Sequence, residues 1–202
     1  MKITAISQQK KNPDRYSIYI DDQFVFGFSQ GDLLKSGIKI GQEVTTEELE
    51  RYRDESELGK AYDKAISYLN IRSRSKQEIA DYLKRKKYST EIANQIITKL
   101  ENLNLINDLE FARLWVQWRQ SKLSSKLKLK QELIQKGVDS EIIERVLEDI
   151  DEDQEVEQVK KLIEKYGYRY DSKQKLMAYL SRKGYNYSVI QTALDDSEAI
   201  DS

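Results

Sequence analysis

One phrase recurs three times along the chain. It reads "SKQEIADYLKRKKYSTEIANQII" from Ser75, "SKLKLKQELIQKGVDSEIIERVL" from Ser125 and "SKQKLMAYLSRKGYNYSVIQTAL" from Ser172. Near-even spacing of this kind marks an internal repeat, and it restricts the fold to copies of one small unit placed side by side. Ile79, Leu129 and Leu176 share a column, and Leu83, Leu133 and Leu180 share the column four residues on, which is one face of a helix. Lys87, Gly137 and Gly184 come next, followed by Tyr88, Val138 and Tyr185. Glycine past the last helical turn, followed by an apolar residue, ends a helix; Lys87 departs from that pattern.

A second amphipathic helix follows in each copy, carried by Ile92, Ile96 and Leu100, by Ile142, Val146 and Ile150, and by Val189 and Ala193. Another apolar stripe precedes each phrase: Tyr62, Ala65, Ile66 and Leu69; then Phe111, Ala112, Trp115 and Val116; then Val156, Val159, Leu162 and Ile163. Three short helices are the fewest that enclose a core. The chain therefore reads as mainly α, with three-helix repeats at 59–106, 107–151 and 152–202. Links as short as "LINDLEF" predict an elongated, curved array in which each unit meets only its neighbours. The lone proline, Pro13, leaves everything after it free of proline breaks.

The serine column predicts N-caps, and Ser75 with Glu78 makes a capping box. Lys128 and Lys175 stand where Glu78 stands, although positive charge near a helix start is mildly unfavourable. Asn107 and Asp108 read as the cap and first acid of the Phe111 helix.

Residues 1–58 differ in kind. "YSIYIDDQFVFGFS" alternates Tyr16, Ile18 and Ile20 with Phe24, Phe26 and Phe28 across Asp21-Asp22, which predicts a β-hairpin with an acidic turn. "KITAIS" supplies a third strand. Ser29 with Asp32, and Thr45 with Glu48, predict the starts of short helices, the second being "TEELERYRDES".

Composition narrows the function. The chain has no cysteine and no histidine, which removes disulfides, thiolate nucleophiles, Cys/His zinc sites and the usual base near neutral pH. No phosphate-binding glycine loop or nucleophile–base pair appears, so the reading is a non-enzyme without cofactor or metal. No stretch has the length of a signal peptide core or a membrane span, and a cytoplasmic monomer is the simplest expectation. A formal net charge of −1 argues against a uniformly basic nucleic-acid binder. Residues 59–106, however, hold ten Lys/Arg against five Asp/Glu.

Two basic clusters are candidate contacts to phosphate or to an acidic protein surface. One comprises Arg72, Arg74 and Lys76 with Lys84, Arg85, Lys86 and Lys87. The other comprises Arg119, Lys122, Lys126, Lys128 and Lys130, with Lys136 beyond it. Reversing Lys126, Lys128 and Lys130 to Glu is expected to leave the fold intact. Trp115 reads as core; Trp118, at the edge of the same stripe, reads equally as core or as a rim residue offered to a partner. The thirteen tyrosines invite a base-stacking reading, but most fall at core positions or on the hairpin.

"LINDLEFARLWVQWR", with "SYLNIRSRSKQEIADYLKRKKY" before it and "LKQELIQKGVDSEII" after it, resembles the RecX family, bacterial regulators of the RecA recombinase. The N-terminal "YSIYIDDQFVFGFSQGDLLKSGI" looks like the β-rich extension of Gram-positive members. The resemblance implies three-helix repeats lying in the groove of the RecA filament on DNA. It also implies inhibition of ATP hydrolysis, strand exchange and filament growth, with DNA met weakly or through the filament. Two departures stand out: "QSKLSSKLK" replaces a stretch that often holds Gly and Pro, and Asp21-Asp22 replaces Asp-Gly. A stand-alone DNA-binding protein and a helical scaffold that binds only proteins remain open alternatives.

Overall fold

The computed structural model describes residues 1–200; Asp201 and Ser202, the end of the expected third repeat, lie outside the described residues. Three antiparallel strands, β1 (Ile3–Gln9), β2 (Asn12–Ile20) and β3 (Gln23–Ser29), form a sheet in the order β1-β2-β3. The β2–β3 loop is the two-residue Asp21-Asp22 turn, with Ile20 paired to Gln23. Both aspartates take positive φ (46° and 65°), the conformation such a turn demands and for which Asp is a tolerable substitute for Gly.

Ile18, Ile20, Phe26 and Phe28 line the buried face, as the alternation predicts. Phe24 does not. Tyr19 pairs with Phe24 while Ile18 pairs with Phe26, so the strand bulges at Val25 and turns Phe24 out. Phe24 is exposed and meets the Tyr19 ring edge-on.

Helix α1 (Gln30–Ser36) starts at Ser29, whose hydroxyl accepts from the Asp32 N–H. Helix α2 (Thr46–Leu69) starts with the predicted Thr45/Glu48 capping box. It does not stop after "TEELERYRDES". It runs 24 residues, through Gly59 and on along the Tyr62 stripe. Leu49 and Tyr52 near its start are buried with the sheet, and Ala61 and Ala65 further on are buried as well. Arg15 fixes the sheet to this helix, donating to the Gly27 carbonyl at 2.8 Å and pairing with Asp63.

The remaining helices keep the repeat. α3 (Lys76–Arg85) and α4 (Thr90–Asn102) follow α2; α5 (Asp108–Gln120), α6 (Lys126–Gln135) and α7 (Ser140–Glu148) form the second set. α8 (Glu152–Tyr166), α9 (Lys173–Arg182) and α10 (Tyr187–Ile200) form the third, with a 3-10 turn at Gly167–Arg169. The paired columns Ile79/Leu83, Leu129/Leu133 and Leu176/Leu180 are all buried. Phe111, Val116, Leu133 and Ile143 share one core; Val159, Leu162, Leu180 and Ile190 share another.

The chain divides into two compact units. One is Met1–Arg72 with Ile79–Leu100; the other is Ser73–Glu78 with the chain from Glu101 onward.

The three helix-ending positions, Lys87, Gly137 and Gly184, all have positive φ (68°, 68° and 94°). A Cβ on Gly137 would lie 2.4 Å from Gln77 Cβ, and one on Gly184 would lie 2.5 Å from Ser125 Oγ. Lys87 is exposed. Gly137→Ala should therefore cost about 2–4 kcal/mol, combining left-handed strain with overpacking. Lys87→Gly should instead stabilise by up to about 1 kcal/mol by relieving the strain alone. Urea titration of both variants, read by circular dichroism, checks the opposite signs.

Candidate protein and nucleic-acid interface

The serine column does more than cap helices. Ser75 Oγ accepts from the Glu78 N–H and donates to the Lys136 carbonyl at 2.6 Å. Next to it the Lys76 N–H, an orphan of the first helical turn, donates to Asp108 Oδ1 at 2.9 Å. The same joint recurs in the next copy. Ser125 Oγ donates to the Lys183 carbonyl at 2.9 Å, and the Lys126 N–H donates to Glu155 Oε1 at 2.8 Å. Both serines are fully buried, and both acids are nearly so. Asp108 is thus more than a favourable charge at the start of α5; it belongs to the joint.

Several of the expected contact residues are consumed by such internal work. Lys76 pairs with Glu101 as well as holding its joint, and that hydrogen bond raises its pKa. Lys126 Nζ donates to the Ile150 carbonyl at 2.7 Å. Lys136 Nζ lies 3.1 Å from Glu78 and 4.0 Å from the centre of the Trp115 ring. Arg119 makes a fork with Glu132, which also accepts from Trp115 Nε1 at 3.0 Å. Trp115 is accordingly half-buried against the core rather than wholly inside it. Arg74 is buried. The expectation that the Lys126, Lys128 and Lys130 reversal spares the fold needs correcting at Lys126, because its side chain closes a carbonyl at the end of the second repeat.

The rest face outward. Lys84, Arg85, Lys86 and Lys87 are all exposed at the end of α3. Arg72, in the same unit, is exposed too; in the other unit Lys122 and Lys130 are exposed and Lys128 is half-buried. Trp118 is 53% exposed on α5, as is its neighbour Leu114, so it is not a core residue. Lys126 and Lys130 line a cleft of about 640 Å³ together with Glu144, Glu148 and Glu155, so that side of the basic run is balanced by acids.

One cationic surface escaped the sequence reading. Arg169 stacks over Tyr166 and Tyr168 at 5.1 and 5.5 Å, Lys165 over Tyr166 at 5.3 Å, and Lys183 over Tyr179 at 5.5 Å. Tyr170 and Tyr179 stack with centroids 5.1 Å apart, and Tyr168 is 78% exposed. Averaging charge over the whole third repeat hides this cluster behind the acids at both ends of the segment. The signal was alternation of Lys/Arg with Tyr over a shorter window. No group of residues suited to a metal ion occurs among the described residues, and no helix of these is long and apolar enough to cross a membrane.

Tandem three-helix units following a small antiparallel sheet define a helical repeat protein. Four family models match in order. They are the regulatory protein RecX N-terminal domain over residues 1–45 and the RecX first, second and third three-helix domains over 61–100, 107–147 and 152–194. A crystal structure of regulatory protein RecX superposes with a TM-score of 0.78 at 27% identity, covering 96% of this chain and 98% of that one. RecX from Lactobacillus salivarius gives 0.64 at 30% identity, covering 70% and 97%. Regulatory protein RecX of Listeria monocytogenes serotype 4a (strain HCC23) is 38% identical over 117 residues, 58% of this chain and 44% of the relative. That of Bacillus subtilis (strain 168) is 34% identical over 114 residues, 56% and 43%. These alignments span less than half the length of the curated relatives. The chain belongs to the RecX family of regulatory proteins.

Burial holds the Asp108 carboxyl above the ordinary aspartate range, while the Lys76 N–H opposes that shift. A raised acid in the folded state means stability is greatest below the unfolded value, and is lost as pH rises through the folded one. Asp108→Asn keeps an acceptor for Lys76 and should abolish this loss above about pH 4. Asp108→Ala leaves the N–H unpaired and should cost about 1–2 kcal/mol at neutral pH. Denaturation midpoints of the three proteins across pH 4 to 7 test both expectations.

Proposed function

We propose that this protein regulates a RecA recombinase by binding its filament on DNA, inhibiting ATP hydrolysis, strand exchange and filament growth. Membership of a family of regulatory proteins over all four of its domains is the observation that carries the reading. The distribution of charge supports it. The chain as a whole is near neutral, so free duplex DNA is a poor partner, whereas local cations suit a groove that combines protein with phosphate. The protein acts by occupancy, as a cytoplasmic monomer, and the sheet with α1 serves as an accessory to the repeats.

The contact set is narrower than the sequence indicates. Lys84, Arg85, Lys86 and Lys87 form one contact region, and Trp118, Lys122, Lys128 and Lys130 another. Arg74, Lys76, Arg119, Lys126 and Lys136 hold the fold. In this division the scaffold residues are those that are buried or whose polar groups are bonded within the fold.

The DNA-dependent ATPase of the recombinase from the same organism should fall at amounts well below one regulator per recombinase subunit. No effect at several-fold excess would leave the protein-only scaffold as the better account. Reversing Lys122 and Lys130 to Glu should weaken filament binding by about one to two orders of magnitude, since each exposed pair contributes roughly 1 kcal/mol or less and repulsion replaces it. Arg119→Ala, by contrast, should lower stability by about 2 kcal/mol through the loss of a charged hydrogen bond. Thermal melts run beside the binding titrations keep the two kinds of effect apart.

A further inference from the structure

Each repeat places a cation three residues before its cap serine: Arg72, Lys122 and Arg169. Only the third copy puts rings on both sides of it. Tyr168 and Tyr170 flank Arg169, whereas Ile71 and Ser73 flank Arg72, and Ser121 and Leu123 flank Lys122. The fold of the third repeat joins these rings into a strip. Tyr170 stacks on Tyr179 at 5.1 Å, Tyr179 meets Tyr166 edge-on at 6.2 Å, and Arg169 lies over both Tyr166 and Tyr168. Lys183 over Tyr179 and Lys165 over Tyr166 add charge along its length. Tyr166, Tyr170 and Tyr179 also pack against the third core. Tyr168 is 78% exposed, and Arg169 Nε steadies it by donating to its hydroxyl at 3.2 Å. Glu164 and Asp171 flank the stretch, and Asp171 is paired with Lys175.

We infer that this strip is a site for single-stranded nucleic acid, with a base stacked on Tyr168 and phosphates against Arg169, Lys165 and Lys183. A single strand presents flat bases and charged phosphates in alternation, and the strip presents rings and cations in the same way. An exposed ring accepts any base by its π-face, so the site reads no sequence. Arg169 serves both chemistries, because a guanidinium is a cation for phosphate and a plane on which a base stacks. A duplex offers its phosphates but keeps its bases stacked inside, so it would engage the cations alone. An acidic protein surface would do the same and leave the Tyr168 ring without a partner. The exposed ring beside the charge therefore favours the single strand. The site needs no recombinase, and it stands or falls apart from the filament reading.

Fluorescence anisotropy of a labelled oligothymidylate, titrated with the full chain at several salt concentrations, tests the site. Tyr168→Ala should weaken binding about tenfold, the order of one stacked base, while Tyr168→Phe, which keeps the ring, should stay within about twofold of the wild type. Arg169→Gln should lower the slope of log affinity against log salt by about 0.7, the share of one single-strand phosphate. An abasic strand of the same length carries phosphates without bases, so it should bind more weakly and should not distinguish Tyr168→Ala from the wild type. An oligouridylate run beside the thymidylate identifies the sugar, the tighter of the two naming DNA or RNA as the strand held. Three results would overturn the proposal: no binding at low salt, Tyr168→Ala binding like the wild type, or an abasic strand or duplex binding as tightly as the single strand. The last would mean that the cations alone recognise the partner, and an acidic protein surface would then be the better account.

Discussion

The rest of the structure depends on a hydroxyl that works twice. In Ser75 and Ser125 one oxygen accepts from the helix it caps and donates to a carbonyl at the end of the next repeat's first phrase helix. A three-helix unit of this size buries little apolar surface by itself, so its stability rests partly on its neighbour. The hydroxyl makes that dependence directional. Burying it without both bonds would be costly, and the flanking N–H adds a second donor that only the acid of the next unit answers. The left-handed glycine is the steric side of the same arrangement, since the approach that brings hydroxyl to carbonyl leaves no space for a Cβ.

Much of this was legible in the sequence. The leucine columns, the serine caps, the acidic hairpin turn and the Thr45/Glu48 box follow from local periodicity and local hydrogen bonding, and they stand where they were expected. The features that escaped are those in which distant residues meet. Nothing near Ser75 announces Lys136, and Lys136 reads as a free cation until Glu78 and Trp115 are found around it. Phe24 obeys the alternation on paper, and only the strand register reveals the bulge that turns it outward. The glycine column was read as a helix ending, which it is. Its deviation at Lys87 became intelligible only once Gln77 was seen against Gly137.

Charge shows the same division between what is local and what is not. The sequence offers thirteen cations as one class of candidate contact, while the structure shows several of them bonded within the fold. Lys126 donates to a carbonyl and Lys136 pairs with a carboxylate within the fold, whereas Lys84 to Lys87 remain at the surface. Under the proposed filament binding, the scaffold cations would add little to non-specific attraction for nucleic acid, and the exposed ones would act in small groups.

The unbroken helix α2 has a mechanical consequence. Leu49 and Tyr52 anchor its first half in the N-terminal core, and Ala61 and Ala65 are buried along its second. A rigid rod held at both ends couples twisting at one end to the other, so a load on the sheet reaches the first repeat as torque rather than being absorbed in a linker. Gly59, in the middle of that rod, is its softest point, and the Asp32 carboxylate lies 2.8 Å from where a Cβ at that position would be.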